Sequence, residues 1–135
     1  MPDNSEKIIE RRKHRRYQVQ DGAFAALTSP SEAKLGLICD ISKAGLAFRY
    51  VADKNDQKEY TTTSCSVNIL YDAEGFYLEN LPCSIVWDQH LHGETSFSHL
   101  TVRKCSVCFD GLSTVQHADL AYFLDNHAKP SLPAG

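Results

Sequence analysis

Two short runs carry the side chains that anion and base recognition need. The first is Arg11-Arg12-Lys13-His14-Arg15-Arg16. A guanidinium meets a phosphate through parallel N–H donors, and its plane stacks on a base. Two arginines four positions apart reach two sides of one compact dianion if the segment wraps over it. By itself, such a run also reads as solvated charge or a weak polyanion binder. The second run is Asp40-Ile41-Ser42-Lys43-Ala44-Gly45. The Asp40 carboxylate can accept two hydrogen bonds from the N1–H and N2–H edge of a guanine, and Ser42 adds a hydroxyl. Gly45 permits a tight turn and close approach of a ligand. By itself, this run also reads as a plain hairpin, with Asp and Ser closing the turn and Gly supplying positive φ.

Strands must position both runs. The segment 17–20 alternates with period two, and 23–27 continues it beyond Asp21-Gly22. Segments 35–41 and 46–51 read as two strands joined by a tight turn at 42–45. In 64–71, Cys65, Val67, Ile69 and Tyr71 fall on one face. Residues 76–78, 83–87 and 97–109 supply further strands, with a hairpin tip at 90–94. Six or so short strands without an intervening helix predict a barrel or sandwich. Ser113 is the expected N-cap of a helix over 115–128, whose Leu120, Phe123 and Leu124 recur at helical spacing. Lys129-Pro130 stops it.

The 135 residues suit one domain, and 42% hydrophobic with 23% charged residues is ordinary for a globular chain. No apolar run approaches the roughly 18–20 residues that span a bilayer, and residues 1–10 hold no signal-peptide core. A cytoplasmic location without membrane insertion is expected. The net charge of −3 divides unevenly: residues 6–16 sum to +4 and the remainder to −7. A cationic arm on an acidic body points to a local anion site rather than a broad nucleic-acid surface.

The five cysteines, an odd number without an export signal, predict free thiols. Cys39, Cys65, Cys83 and Cys105 read as small buried hydrophobes. Cys105 and Cys108, three apart on a strand, point to opposite faces, so a zinc pair is not expected. Trp87 reads as a core or barrel-face aromatic, and Asp88, Asp110 and Glu94 as solvated turn residues. No phosphate loop, nucleophile elbow or metal-binding helix is present, so no enzyme is expected.

Taken together, the two runs change the weighing. Arg12-Lys13-His14-Arg15-Arg16 followed, 24 positions beyond Arg16, by the run beginning at Asp40 resembles the PilZ domain family. That family is marked by Arg-x-x-x-Arg ahead of the first strand and Asp/Asn-x-Ser-x-x-Gly further on. Ser84-Ile85-Val86-Trp87 is similar to its mid-domain strand, and Cys105-Ser106-Val107-Cys108-Phe109 to its last strand. The likeness covers roughly residues 10–127. It implies a mainly β fold: a six- to seven-stranded antiparallel split barrel with a C-terminal helix packed on it. Residues 1–9 would be a flexible lead, 10–128 the domain and 129–135 a tail.

The resemblance also implies a ligand, cyclic di-GMP, and a non-catalytic receptor that signals to an effector protein. Carried over by position, Arg12 and Arg16 hold phosphates or stack on a guanine, Asp40 reads a guanine edge, Ser42 bonds nearby polar groups and Gly45 shapes the turn. Arg11 precedes the motif, which the family associates with two intercalated ligand molecules. Arg15 enters if the register slides by one, since Arg11 and Arg15 share the spacing. Ser106 stands where the family often has Gly, at the barrel mouth. Two other functions remain open: a polyanion or nucleic-acid binder using residues 7–16, and a ligand-free interaction module of the same fold. The acidic body and the absence of interleaved aromatics weigh against nucleic acid.

Overall fold

The structure is a computed structural model that describes residues 16–19, 22–29, 33–53, 64–71, 75–91 and 100–130. Within these, the elements are β1 (Tyr17–Val19), β2 (Ala23–Thr28), β3 (Ala33–Ile41), β4 (Gly45–Asp53), β5 (Ser64–Tyr71), β6 (Phe76–His90), β7 (Leu100–Phe109), α1 (Thr114–His127) and β8 (Ala128–Pro130). Every strand pair is antiparallel.

The order β2-β5-β6-β7-β4-β3 closes on itself because β2 also pairs with β3. Closure leaves the six barrel strands without a free edge. β1 lies outside this ring on β3, and β8 pairs with β1. The predicted barrel with a C-terminal helix is therefore the fold.

Period-two burial builds the interior. Ala23, Ala25 and Leu27 of β2 are buried, as are Val67, Ile69 and Tyr71 of β5 and Leu46, Phe48 and Tyr50 of β4. The predicted strands over 76–78 and 83–87 form one continuous strand. Asn80 takes a left-handed conformation at φ 58°, where the pairing with β5 shifts register, and the chain carries on through Pro82.

A capping box starts α1. The Ser113 hydroxyl accepts from the Gln116 N–H at 3.1 Å, and the Gln116 side chain accepts from the Ser113 N–H at 3.0 Å. Gln116 Nε2 also donates to the Asn80 carbonyl at 3.0 Å, tying the helix start to the irregular point of β6. Leu120, Phe123 and Leu124 are buried, each contributing about 1.5–3 kcal/mol by burial. Tyr71 meets the Phe123 ring edge-on at 6.2 Å. After the helix the backbone at Ala128 turns extended and enters β8.

The interior is not wholly apolar, and here one expectation is corrected: Asp88 is not a solvated turn residue. Leu81, Cys83 and Ile85 of β6 are buried in alternation. Ile85 then faces Val107 and Trp87 faces Ser106, so Val86 is an extra residue. Such a bulge reverses the phase of the side chains beyond it. Trp87 turns outward, and the Asp88 side chain is only 2% exposed.

Asp88 Oδ1 accepts from Arg103 Nε at 2.7 Å, Oδ2 accepts from the Tyr50 hydroxyl, and Lys34 Nζ lies 3.5 Å from Oδ2. Arg103 Nη2 donates to the Asp88 carbonyl at 3.0 Å, and the Lys34 ammonium sits 5.3 Å from the Tyr50 ring centre. Burial, then the bond to Asp88, raises the Tyr50 phenol far above its ordinary value of 10.0. Burial alone would lower the Arg103 value, but the bond and charge of Asp88 more than offset it and raise it overall.

Removing the Asp88 charge leaves two cations facing the barrel interior without it. Asp88→Asn is expected to cost about 3–5 kcal/mol in urea unfolding, and Tyr50→Phe about 1–3 kcal/mol. The folded state favours the neutral Tyr50 phenol. Its contribution is intact below about pH 10 and is lost as pH rises further, because the unfolded phenol ionises first. Stability measured between pH 9 and 11 should therefore fall less in Tyr50→Phe than in the native chain.

Candidate functional site

A cleft of about 250 Å³ opens where the end of β3, the β3–β4 turn, the β6 bulge and the middle of β7 meet. Arg16, Asp40, Ser42, Gly45 and Ser106 all line it, together with Trp87, Val86 and Cys108. Every expected site residue within the described segments therefore lies at one place. Arg11, Arg12 and Arg15 fall outside the described residues.

The sheet register explains the convergence. Asp40 pairs with Ala47, Ala47 with Ser106, and Ser106 with Trp87. Directly opposed residues share a face. A carboxylate thus stands at one end of a row crossing four strands, an indole at the other, and the two residues between are small. Adjacent strands lie about 4.8 Å apart, so the row spans roughly 14 Å. β1 brings in the cation: Tyr17 pairs with Ile41, which sets Arg16 beside the turn that begins at Ser42. Arg16 is exposed and Asp40 partly buried.

The turn is held internally. Ser42 N–H donates to the Gly45 carbonyl at 2.8 Å, and the Ser42 hydroxyl accepts from the Ala44 N–H at 3.0 Å. One lone pair of that hydroxyl is therefore committed to the turn, and its proton is left for another acceptor. The Ala44 carbonyl accepts from the Phe109 N–H at 2.7 Å, locking the turn to β7.

The plain-hairpin reading, in which Gly45 supplies positive φ, is corrected. The glycines with positive φ are Gly22, Gly75 and Gly111 among the described residues. Gly45 opens β4, and a Cβ built there would lie 2.1 Å from the Val107 carbonyl oxygen. Close approach of the β7 backbone, rather than a positive φ, demands glycine at this position. Ser106 is half-buried in the cleft wall.

Trp87, read from the sequence as a core or barrel-face aromatic, lies on the outer face of the barrel wall at the cleft. Its outward direction follows from the bulge, which lets Ile85 and Asp88 share the interior where strict alternation would not. Cys105 is buried and Cys108 exposed, so the thiols do point to opposite faces. No cluster of three or more His, Cys, Asp or Glu side chains suited to a metal occurs among the described residues. No helix among them is long and apolar enough to cross a membrane.

A closed six-stranded antiparallel barrel, an outer strand pair and one C-terminal helix, with an arginine and an Asp-x-Ser turn at one cleft, form a PilZ-like fold. Solved structures match this architecture. The PilZ domain of YcgR from Escherichia coli, solved with c-di-GMP, superposes with a TM-score of 0.65 at 11% identity, covering 87% of this chain and 91% of that one. YcgR from Escherichia coli in complex with c-di-GMP gives 0.60 at 12% identity, covering 85% of this chain and 45% of that one. The chain thus spans less than half of that longer protein. No family model matches the sequence, and no curated protein matches it. At such identities the likeness is one of fold.

Gly45→Ala should destabilise the domain by about 1–3 kcal/mol, because the clash is with backbone and no side chain can move aside. A urea-unfolding midpoint equal to that of the native chain would contradict the close-approach account.

Proposed function

We propose that the chain is a receptor module for cyclic di-GMP, acting by binding rather than catalysis. The observation that carries this reading is the meeting of Arg16, Asp40 and Ser42 in one cleft beside Trp87. Each part answers a part of such a ligand. Arg16 supplies a fork of donors for a phosphate, and its plane can stack on guanine. Asp40 accepts from the guanine N1–H and N2–H edge. The indole of Trp87 offers a face for a base, an interaction worth about 1–3 kcal/mol.

Arg12 completes the pair of motif arginines in this reading. Arg11 favours two stacked ligand molecules over one, and Arg15 replaces a partner if the register moves by one. Before binding, six basic side chains on the arm 6–16 repel one another. A dianion neutralises them and draws the arm across the barrel mouth. An effector protein then meets the rearranged face, and the setting is the cytoplasm. The YcgR structures, solved with c-di-GMP, supply the precedent for this ligand on this fold.

Ser106 favours a second reading, a ligand-free interaction module, because it puts a side chain into the cleft where the family often has none. One titration separates the two. Trp87 is the sole tryptophan, so its fluorescence reports directly on the cleft. Cyclic di-GMP should change that emission saturably. Arg16→Ala and Asp40→Ala should each weaken binding about 10- to 150-fold, the equivalent of about 1.5–3 kcal/mol per charge-assisted contact. A ligand-free module gives no saturable change in the native chain. A polyanion binder responds equally to unrelated nucleotides, with steep salt dependence.

A further inference from the structure

The dithiol of Cys65 and Cys83 has a geometry that the proposed binding does not use. Cys65 of β5 and Cys83 of β6 are directly opposed in register. Their sulfurs are 3.5 Å apart, and Cys65 Sγ also lies 3.5 Å from the Cys83 carbonyl oxygen. Opposed residues of an antiparallel pair have Cα atoms about 4.5–5.5 Å apart, inside the range a disulfide bridges. A disulfide S–S length of about 2.05 Å asks the sulfurs to close by about 1.5 Å, which side-chain rotation with a slight strand contraction supplies.

Access is asymmetric. Cys65 is half-exposed, whereas Cys83 is 3% exposed. Burial, and then the neighbouring Cys65, pushes the Cys83 thiol well above its ordinary value. A reagent therefore reaches Cys65, and Cys83 is held against it as the second sulfur.

We propose that Cys65 and Cys83 are a reversible cross-strand dithiol–disulfide site, closed by exchange with a small-molecule disulfide. The Cys65 thiolate attacks one sulfur of the small disulfide. Its S–S bond breaks, and the first small thiolate leaves and takes up a proton. Cys83 then gives up its proton to solvent and attacks the Cys65 sulfur of the mixed disulfide. The second small thiolate departs and is protonated. Two protein thiols are oxidised by two electrons, and one small disulfide becomes two thiols. Cys83 burial makes the second step the slow one.

The site lies close to the cleft without being part of it. Cys83 pairs with Phe109, whose N–H donates to the Ala44 carbonyl in the cleft wall. The chemistry needs no nucleotide, so it is tested separately from ligand binding.

The full native chain is equilibrated with oxidised glutathione, alkylated and digested with trypsin without reduction. The tryptic peptide 59–103 contains Cys65 and Cys83 and no other cysteine. It should appear unalkylated and two hydrogens lighter, and a reductant should return it to the doubly alkylated form. In Cys83→Ala the same peptide should instead hold one persistent glutathione. The proposal is overturned if the native peptide stays doubly alkylated, if it keeps glutathione without closing, or if closure occurs only in urea-unfolded chain.

Discussion

The one-residue bulge in β6 sets the chemistry on both sides of the barrel wall. With strict alternation beyond Ile85, the indole of Trp87 would enter the interior and Asp88 would face water. The extra residue Val86 reverses that assignment. Outside, Trp87 joins Ser106, Ala47 and Asp40 in a single row. Inside, Asp88 gains Tyr50, Arg103 and Lys34 as partners. A register slip of one residue would exchange an indole for a carboxylate, so the two features stand or fall together.

The interior network opposes slippage. An unpaired carboxylate inside the barrel costs several kcal/mol, whereas one bonded from β3, β4 and β7 at once is tolerated only in this register. Arg103 matches the carboxylate side-on and also donates to the Asp88 carbonyl, which binds the backbone of β6 at the end of the bulge. The network therefore contributes more to the orientation of β6 than to net stability, since well-packed apolar residues of the same volume would be about as stable. A polar knot inside the wall holds the apolar–polar phase on which the outer cleft depends.

Most of the barrel was legible from alternation alone. In β5, Cys65, Val67, Ile69 and Tyr71 read as one face, and Val67, Ile69 and Tyr71 are buried. The helix was legible from Ser113 and the spacing of Leu120, Phe123 and Leu124. At the cleft, Arg16, Asp40, Ser42, Gly45 and Ser106 were legible as two local motifs and one departure, whereas the pairing of Tyr17 with Ile41 that brings the motifs together is long-range. What escaped was anything that depended on a bulge or on backbone proximity across strands. Asp88 followed by Gln89 and His90 has the composition of a turn, and nothing local says that the strand continues. Asn80 and Pro82 likewise read as a break, whereas the left-handed residue lets β6 pass through with a shift.

Gly45 sharpens the distinction between residues that mark the fold and residues that carry the function. The barrel itself requires it, since the Val107 carbonyl occupies the space of a side chain. Ser42 is partly in the same position, because its hydroxyl closes the turn onto Ala44. A ligand-free module of this architecture would keep both. Arg16 has no comparable part in the fold, being exposed, ahead of β1, at the lip of the cleft. Asp40, on the partly buried end of β3, puts a carboxylate into the same space. The motif glycine and, in part, the serine are thus required by the barrel and its turn. The guanidinium of Arg16 and the carboxylate of Asp40, which take no part in closing that turn, are the side chains on which the proposed recognition of a guanine-bearing anion rests.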